Sequence, residues 1–316
     1  YFGVGNAPKF SGHDINAMLS GYRPPAVIAD LARDVAGRGQ YVVRQRPQGL
    51  GSTGNRNPYR LRTDGGGIVR YSFCDPAFIL GTPMCEARPL DDWTAISSQN
   101  RWQGALFAGP AGGGRIVPIV RPENDRVTFN AFWSVQHKGT LMTQKLKTHQ
   151  GGADMIIWTS KNGLRAPVEK NGVFFFEAPG AFAAVRVVGT TAEWQDELDG
   201  APSEIPPGRV LVLKDSYAPV ILEVMSQEDI PSLQDFQARV LAHQPSLDDG
   251  IVRYSTIYGD VLALDTTQQQ TPTINEVAVK YGEGKAFESP FLNADYNSGV
   301  VTIKKGARKT VLDFNR

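Results

Sequence analysis

Four side chains are singled out as candidates to move a proton or neutralise a carboxylate: Asn100, Arg101, His137 and Tyr217. Asn100 and Arg101 stand in Ser98-Gln99-Asn100-Arg101-Trp102, a polar island between apolar strand halves. There the Asn and Arg offer hydrogen-bond donors and Trp102 offers a platform. The same five residues also fit a strand edge or bulge whose polar groups satisfy the backbone. His137 lies in SVQHKGT, at the junction of two strands and beside Lys138. It can serve as general acid, general base or donor to a carboxylate, or simply be a solvated turn residue. Tyr217, in KDSYAPV, can exchange a proton if it is buried near an arginine, as can Tyr254 and Tyr258. Packing with one hydrogen bond to backbone is the commoner role of such tyrosines.

A second group is cationic. Between residues 38 and 70 stand Arg38, Arg44, Arg46, Arg56, Arg60, Arg62 and Arg70, with Asp64 the single acidic residue and Tyr41 and Tyr59 interleaved. Guanidinium groups bind carboxylates and sulfates bidentately, and a tyrosine can stack on a sugar. Arg44, Arg46, Arg60, Arg62 and Tyr59, with Trp102, are therefore candidates for holding an acidic polysaccharide. Strand alternation divides these arginines between two faces, so solvated strand surfaces paired to carboxylates elsewhere are the favoured explanation. The four histidines form no HxH or HExxH spacing, and His243 fits a helix C-terminus. No cofactor is expected. Calcium stays open, because its oxygen ligands can come from scattered loops. No GxSxG, GxxxxGK or strand-to-helix GxGxxG pattern occurs.

Strands must position these residues. Period-2 alternation marks IVRYSF at 68–73, with Tyr71 and Phe73 on one face, and strand-like segments recur at 93–108, 115–120, 127–136, 139–147, 154–160, 172–177, 181–188 and 209–214. In the segment 128–135 both alternating sets hold aromatic residues, which predicts cover on both faces. Helical patterns precede residue 38, in INAMLSGY and AVIADLARDVAG. One late helix is expected in PSLQDFQARVLAH, with Ser232 as N-cap and Leu233, Phe236, Val240 and Leu241 along one face. The fold class is mainly β: a large antiparallel sandwich with a short N-terminal helical segment and one late helix. Residues 1–37 form a helical lead-in and 38–226 the main sandwich. Residues 227–316 form a helix followed by strands of the same or a second small β domain.

Composition narrows the partners. The 316 residues carry a formal net charge of +1, which gives no global pull toward nucleic acid or membrane. No apolar run approaches the roughly 20 residues that span a bilayer. The 33 glycines and 21 prolines fit a chain rich in turns. The two cysteines, Cys74 and Cys85, could close a small loop in an exported protein or stay reduced. The sequence opens at Tyr1 without Met, which suggests a trimmed product or part of a longer polypeptide.

From YRPPAVIADLARD through YVVRQRP to SGVVTIKKGARKTVLDF, the chain resembles the C-terminal β-sandwich part of heparinase II/III-type polysaccharide lyases. In that family an (α/α) toroid precedes a very large antiparallel sandwich, and the cleft lies between the two parts. This sequence departs from the pattern in lacking nearly all of the toroid. The resemblance implies a secreted or periplasmic enzyme that cleaves uronate polymers by β-elimination. It also implies a helical partner chain or domain from the same precursor. Asn100, Arg101, His137 and Tyr217 are assigned to that chemistry by residue type. The alternative is a non-catalytic carbohydrate-binding or structural, assembly-forming sandwich.

Overall fold

The computed structural model describes residues 38–45, 68–84, 104–109, 114–120, 132–147, 155–197, 208–279, 284–288, 293–297, 300–305 and 307–313. In chain order these contain β1 (Gly39–Gln45), β2 (Ile68–Cys74), β3 (Phe78–Met84), β4 (Gly104–Phe107), β5 (Arg115–Val120), β6 (Phe132–His137), β7 (Thr140–Lys145) and β8 (Met155–Ser160). There follow β9 (Val168–Lys170), β10 (Val173–Ala178), β11 (Ala181–Val187), β12 (Ala192–Gln195), β13 (Gly208–Leu213) and β14 (Val220–Ser226). The helix α1 (Leu233–Ala242) precedes β15 (Ser246–Asp248), β16 (Ile251–Ser255), β17 (Val261–Asp265), β18 (Thr273–Ile274) and β19 (Val277–Ala278). The last four strands are β20 (Gly284–Glu288), β21 (Asn293–Asn297), β22 (Val300–Lys305) and β23 (Arg308–Asp313).

The protein is mainly β, a large antiparallel sandwich as its alternating sequence predicts. Three sheets form. A 12-stranded sheet A runs β12-β13-β8-β5-β4-β3-β2-β1-β20-β21-β22-β23, a 6-stranded sheet B runs β6-β7-β14-β11-β10-β9, and a 5-stranded sheet C runs β15-β16-β17-β18-β19. The C-terminal strands join sheet A through β1, where Val42 pairs with Glu288. The helical patterns before residue 38 and the second half of the Cys74–Cys85 pair lie outside the described residues. Among the described residues no helix is long and apolar enough to cross a membrane.

Sheet B is apolar on both faces, and that dictates a third layer. On β14, Val220, Leu222 and Val224 point to sheet A, where they meet Phe78, Leu80, Phe107, Ile116, Ile157 and Leu211. The intervening Ile221 packs with Val252, Tyr254, Leu262 and Leu264 of sheet C, and Met225 packs with Phe236 and Val240 of α1. Because side chains alternate along a strand, a strand of continuous apolar residues must be covered twice. Sheet A covers one face of sheet B, and sheet C with α1 covers the other. The helix forms where expected: Ser232 Oγ accepts from Asp235 N–H at 3.0 Å, and Phe236 and Val240 are buried.

Two charged side chains sit within that second interface. Glu223 of β14 is fully buried, with Oε2 accepting from the Tyr254 hydroxyl at 2.6 Å and Oε1 accepting from Ile257 N–H at 3.0 Å and Thr140 Oγ1 at 3.4 Å. Arg186 of β11 donates from Nη1 to the His243 carbonyl at 2.6 Å and Gln244 Oε1 at 3.1 Å. Its Nη2 donates to the Val240 carbonyl at 3.1 Å. Those carbonyls are at the C-terminal end of α1, where a helix lacks its own donors and carries partial negative charge. The guanidinium also lies 5.8 Å from the centre of the Tyr254 ring. Sheet B thus holds sheet C through Glu223 and the helix through Arg186.

Burial raises the Glu223 carboxyl to about 6, against the opposing hydrogen bonds of Tyr254, Ile257 and Thr140 and the charge of Arg186. A pKa raised on folding means that the native state binds more protons between the ordinary value of 4.5 and about 6. Stability contributed by this group is therefore full below 4.5 and falls by roughly 2 kcal/mol as pH rises through that window. Glu223→Gln keeps the shape and removes the titration. Urea unfolding across this pH range should show the wild-type stability falling relative to the variant as pH rises. A constant difference between the two proteins would show that Glu223 does not titrate there.

Candidate functional site

The described residues bring one sequence candidate, His137, into a cluster of charged and amide groups. β6 and β7 form a hairpin closed by Lys138 and Gly139, with His137 opposite Thr140. Lys138 has φ 45°, in the left-handed region that a side-chain-bearing residue occupies at a cost. Several contacts hold it there. Its N–H donates to Gln40 Oε1 at 2.6 Å, its carbonyl accepts from Gln136 Nε2, and its ammonium lies 2.8 Å from Asp260 Oδ2. Gln40 and Gln136 bond to each other, so β1 of sheet A supports the hairpin tip of sheet B. A backbone held this firmly in a costly conformation is a reason to look for function at the tip.

Gly139 leaves the tip no freedom to settle elsewhere. A Cβ added there would meet the Val224 carbonyl oxygen at 2.2 Å and Tyr258 Oη at 2.3 Å. Those two atoms are themselves joined, because the Tyr258 hydroxyl donates to the Val224 carbonyl at 2.6 Å. From above, the turn 256–260 of sheet C carries Asp260 onto the hairpin. Asp260 N–H donates to Thr256 Oγ1 and Thr256 N–H to the Asp260 carbonyl, which closes the turn. Asn275, between β18 and β19, donates to Asp260 Oδ1 at 3.0 Å.

His137 Nε2 faces Asp260 Oδ1 at 3.7 Å, beyond hydrogen-bond reach, and Nδ1 is buried without a hydrogen-bond partner. Burial lowers the His137 pKa below its ordinary 6.5; Asp260 opposes the shift and Lys138 adds to it. The imidazole is therefore neutral at neutral pH and able to accept a proton. Burial works to raise the Asp260 carboxyl, but hydrogen bonds from Lys138 and Asn275 and the nearby positive groups bring it below its ordinary value. The tip thus combines a neutral base, a cation and a carboxylate.

Tyr217 is elsewhere. It precedes β14 next to the far end of β7, where Gln144 Nε2 donates to its carbonyl and the Lys145 ammonium lies 5.1 Å from its ring centre. His137 precedes the first residue of β7 and Lys145 is the last, so the two candidates stand roughly 17 Å apart along the strand. Asn100, Arg101 and Trp102 lie outside the described residues, as do Arg46, Tyr59, Arg60 and Arg62. Arg44 is placed by its backbone in β1, opposite Val69. Arg38, from the same arginine-rich segment, pairs with the buried Asp75 at 2.6 Å and with Asp229. Among the described residues no group of three or more His, Cys, Asp or Glu side chains is gathered as a metal site.

Sequence reasoning missed Asp260, Gln40 and Gln136 as partners of the tip. In GDVLALD the aspartate reads as a turn residue, and nothing in the order of the chain places it over residue 137. Gly139→Ala should cost roughly 3 kcal/mol in urea unfolding, because the nearest obstructing atom is backbone. A loss below about 1 kcal/mol would mean that the hairpin tip can move aside. The chain matches no family model, no curated protein and no solved structure.

Proposed function

We propose that this chain is the β-sandwich part of an exported carbohydrate-active enzyme that cleaves an acidic, uronate-containing polysaccharide by β-elimination. The observation that carries the reading is the hairpin tip: a histidine kept neutral by burial, adjoining a lysine held by Asp260. In β-elimination a base removes the proton α to the uronate carboxylate. The electron pair forms the new carbon–carbon double bond, the glycosidic carbon–oxygen bond breaks, and the departing oxygen takes up a proton. His137 supplies the base, and Lys138 supplies positive potential that favours the carbanion-like transition state. Asn100 and Arg101 are assigned to the substrate carboxylate, and Arg44, Arg46, Arg60, Arg62, Tyr59 and Trp102 to the flanking sugars, by residue type. Tyr217 stands too far along β7 to share a bond-breaking step with His137.

A second reading has its own observation. Val168, Leu247, Val277 and Val311 are half or more exposed, and they lie on β9, β15, β19 and β23, each an edge strand of its sheet among the described residues. Exposed apolar edge strands are templates for pairing with another chain, which favours a structural, assembly-forming sandwich. Light scattering separates the two: a large assembly dissolved by Val277→Lys supports assembly, and a monomer removes it.

Turnover is tested by incubating the protein with polyuronates and following the ultraviolet absorbance of the unsaturated product. His137→Ala should lower kcat at least about 100-fold, the usual worth of a positioned base. Unchanged turnover in that variant, or no product from any uronate polymer, would sink the lyase reading.

A further inference from the structure

The far end of β7 carries a second arrangement, and we propose that it is a sugar-binding platform in which Tyr217 stacks on a uronic-acid ring. Tyr217 is 38% exposed, unlike most of the described aromatic residues, which fill the cores. Its backbone is held by one exposed and one buried side chain. Its N–H donates to Asp215 Oδ1 at 2.9 Å and its carbonyl accepts from Gln144 Nε2 at 2.7 Å. Gln144 is 2% exposed, and its Oε1 accepts from Gln268 Nε2 at 3.3 Å. Gln268 in turn donates to the Lys145 carbonyl at 2.8 Å and accepts from Lys147 N–H at 2.8 Å. The turn before β14, the end of β7 and the loop after β17 are thereby fastened into one surface.

The loop itself is rigidly shaped. Asp265 accepts from the N–H groups of Thr267, Gln269 and Gln270 at 2.8, 2.9 and 2.7 Å, leaving the side chains of Gln269 and Gln270 exposed. The buried Lys145 ammonium lies 5.1 Å from the Tyr217 ring centre; Lys147, whose N–H bonds Gln268, and Lys214, three residues before Tyr217, are exposed. An exposed aromatic ring fixed from beneath offers apolar surface to the C–H face of a pyranose at little entropic cost. The neighbouring amides suit hydroxyls, and the lysines suit a carboxylate. Single-stranded nucleic acid fits less well, since it is held by successive aromatic platforms along a basic groove.

The ligand class is shared with the proposed lyase reading, but the platform does not depend on catalysis. The test is calorimetric titration of the full chain with a defined oligogalacturonate, with maltohexaose as the uncharged control. Oligogalacturonate should bind more tightly than maltohexaose. Tyr217→Ala should weaken binding about tenfold, Tyr217→Phe should keep it, and Lys147→Gln should weaken the charged ligand more than the uncharged one. Absence of oligogalacturonate binding, an unchanged Kd in Tyr217→Ala, or tighter binding of a single-stranded oligonucleotide would overturn the platform. Binding that depends on Tyr217 without turnover leaves the platform standing and removes the lyase. Turnover with a Kd indifferent to Tyr217 does the reverse.

Discussion

A carboxylate buried out of reach of water constrains most of this structure. Glu223 stands on β14, between β7 and β11 in sheet B, and points away from the main core. An unsatisfied charge there would cost several kcal/mol. Its partners are Thr140 from its own sheet, and the Tyr254 hydroxyl and Ile257 N–H from sheet C. Two of these three donors come from the layer above, so sheet C cannot slide over sheet B without stranding the charge. Apolar contact alone would tolerate such a slide, because it is not directional.

The consequence reaches the hairpin tip. Ile257 belongs to the same turn as Asp260, so fixing one over β14 fixes the other over His137 and Lys138. Thr140, which pairs with His137 across the hairpin, is itself a donor to Glu223. The neutral state of His137 therefore depends on the layer above it being held in register, and Glu223 holds it. At the opposite end of β7, Gln144 and Gln268 do similar work with neutral amides. The two ends of β7 thus adjoin a proton-accepting group on β6 and a fixed aromatic ring in the turn before β14.

Local elements were legible in the sequence because their causes are local. The strand-like run TLMTQKL, bounded by Gly139, marks β7, and Ser232 with Phe236 and Val240 marks α1 with its cap and its buried face. The doubled aromatic pattern of residues 128–135 predicts cover on both sides, and in β6 Trp133 and Ser134 are both buried. The position of His137 between two strands was also readable. Its partners were not: Asp260 is more than a hundred residues away, and Gln40 lies on a different sheet. Glu223 leaves a faint trace, as a lone acidic residue inside the apolar strand VILEVMS, yet its partner Tyr254 reads as an ordinary strand tyrosine. The pairing of β1 with β20 is equally hidden, since strand order in a sheet follows from packing over the whole chain.

The most direct measurement is the NMR titration of the His137 ring, resolved from the other three histidines by comparison with a His137→Gln spectrum. A midpoint below the ordinary 6.5 is expected, because burial opposes the imidazolium more strongly than Asp260 favours it. A midpoint at or above 6.5 would mean that the ring is solvated or paired with Asp260 as a cation. It would contradict a base held neutral at the hairpin tip.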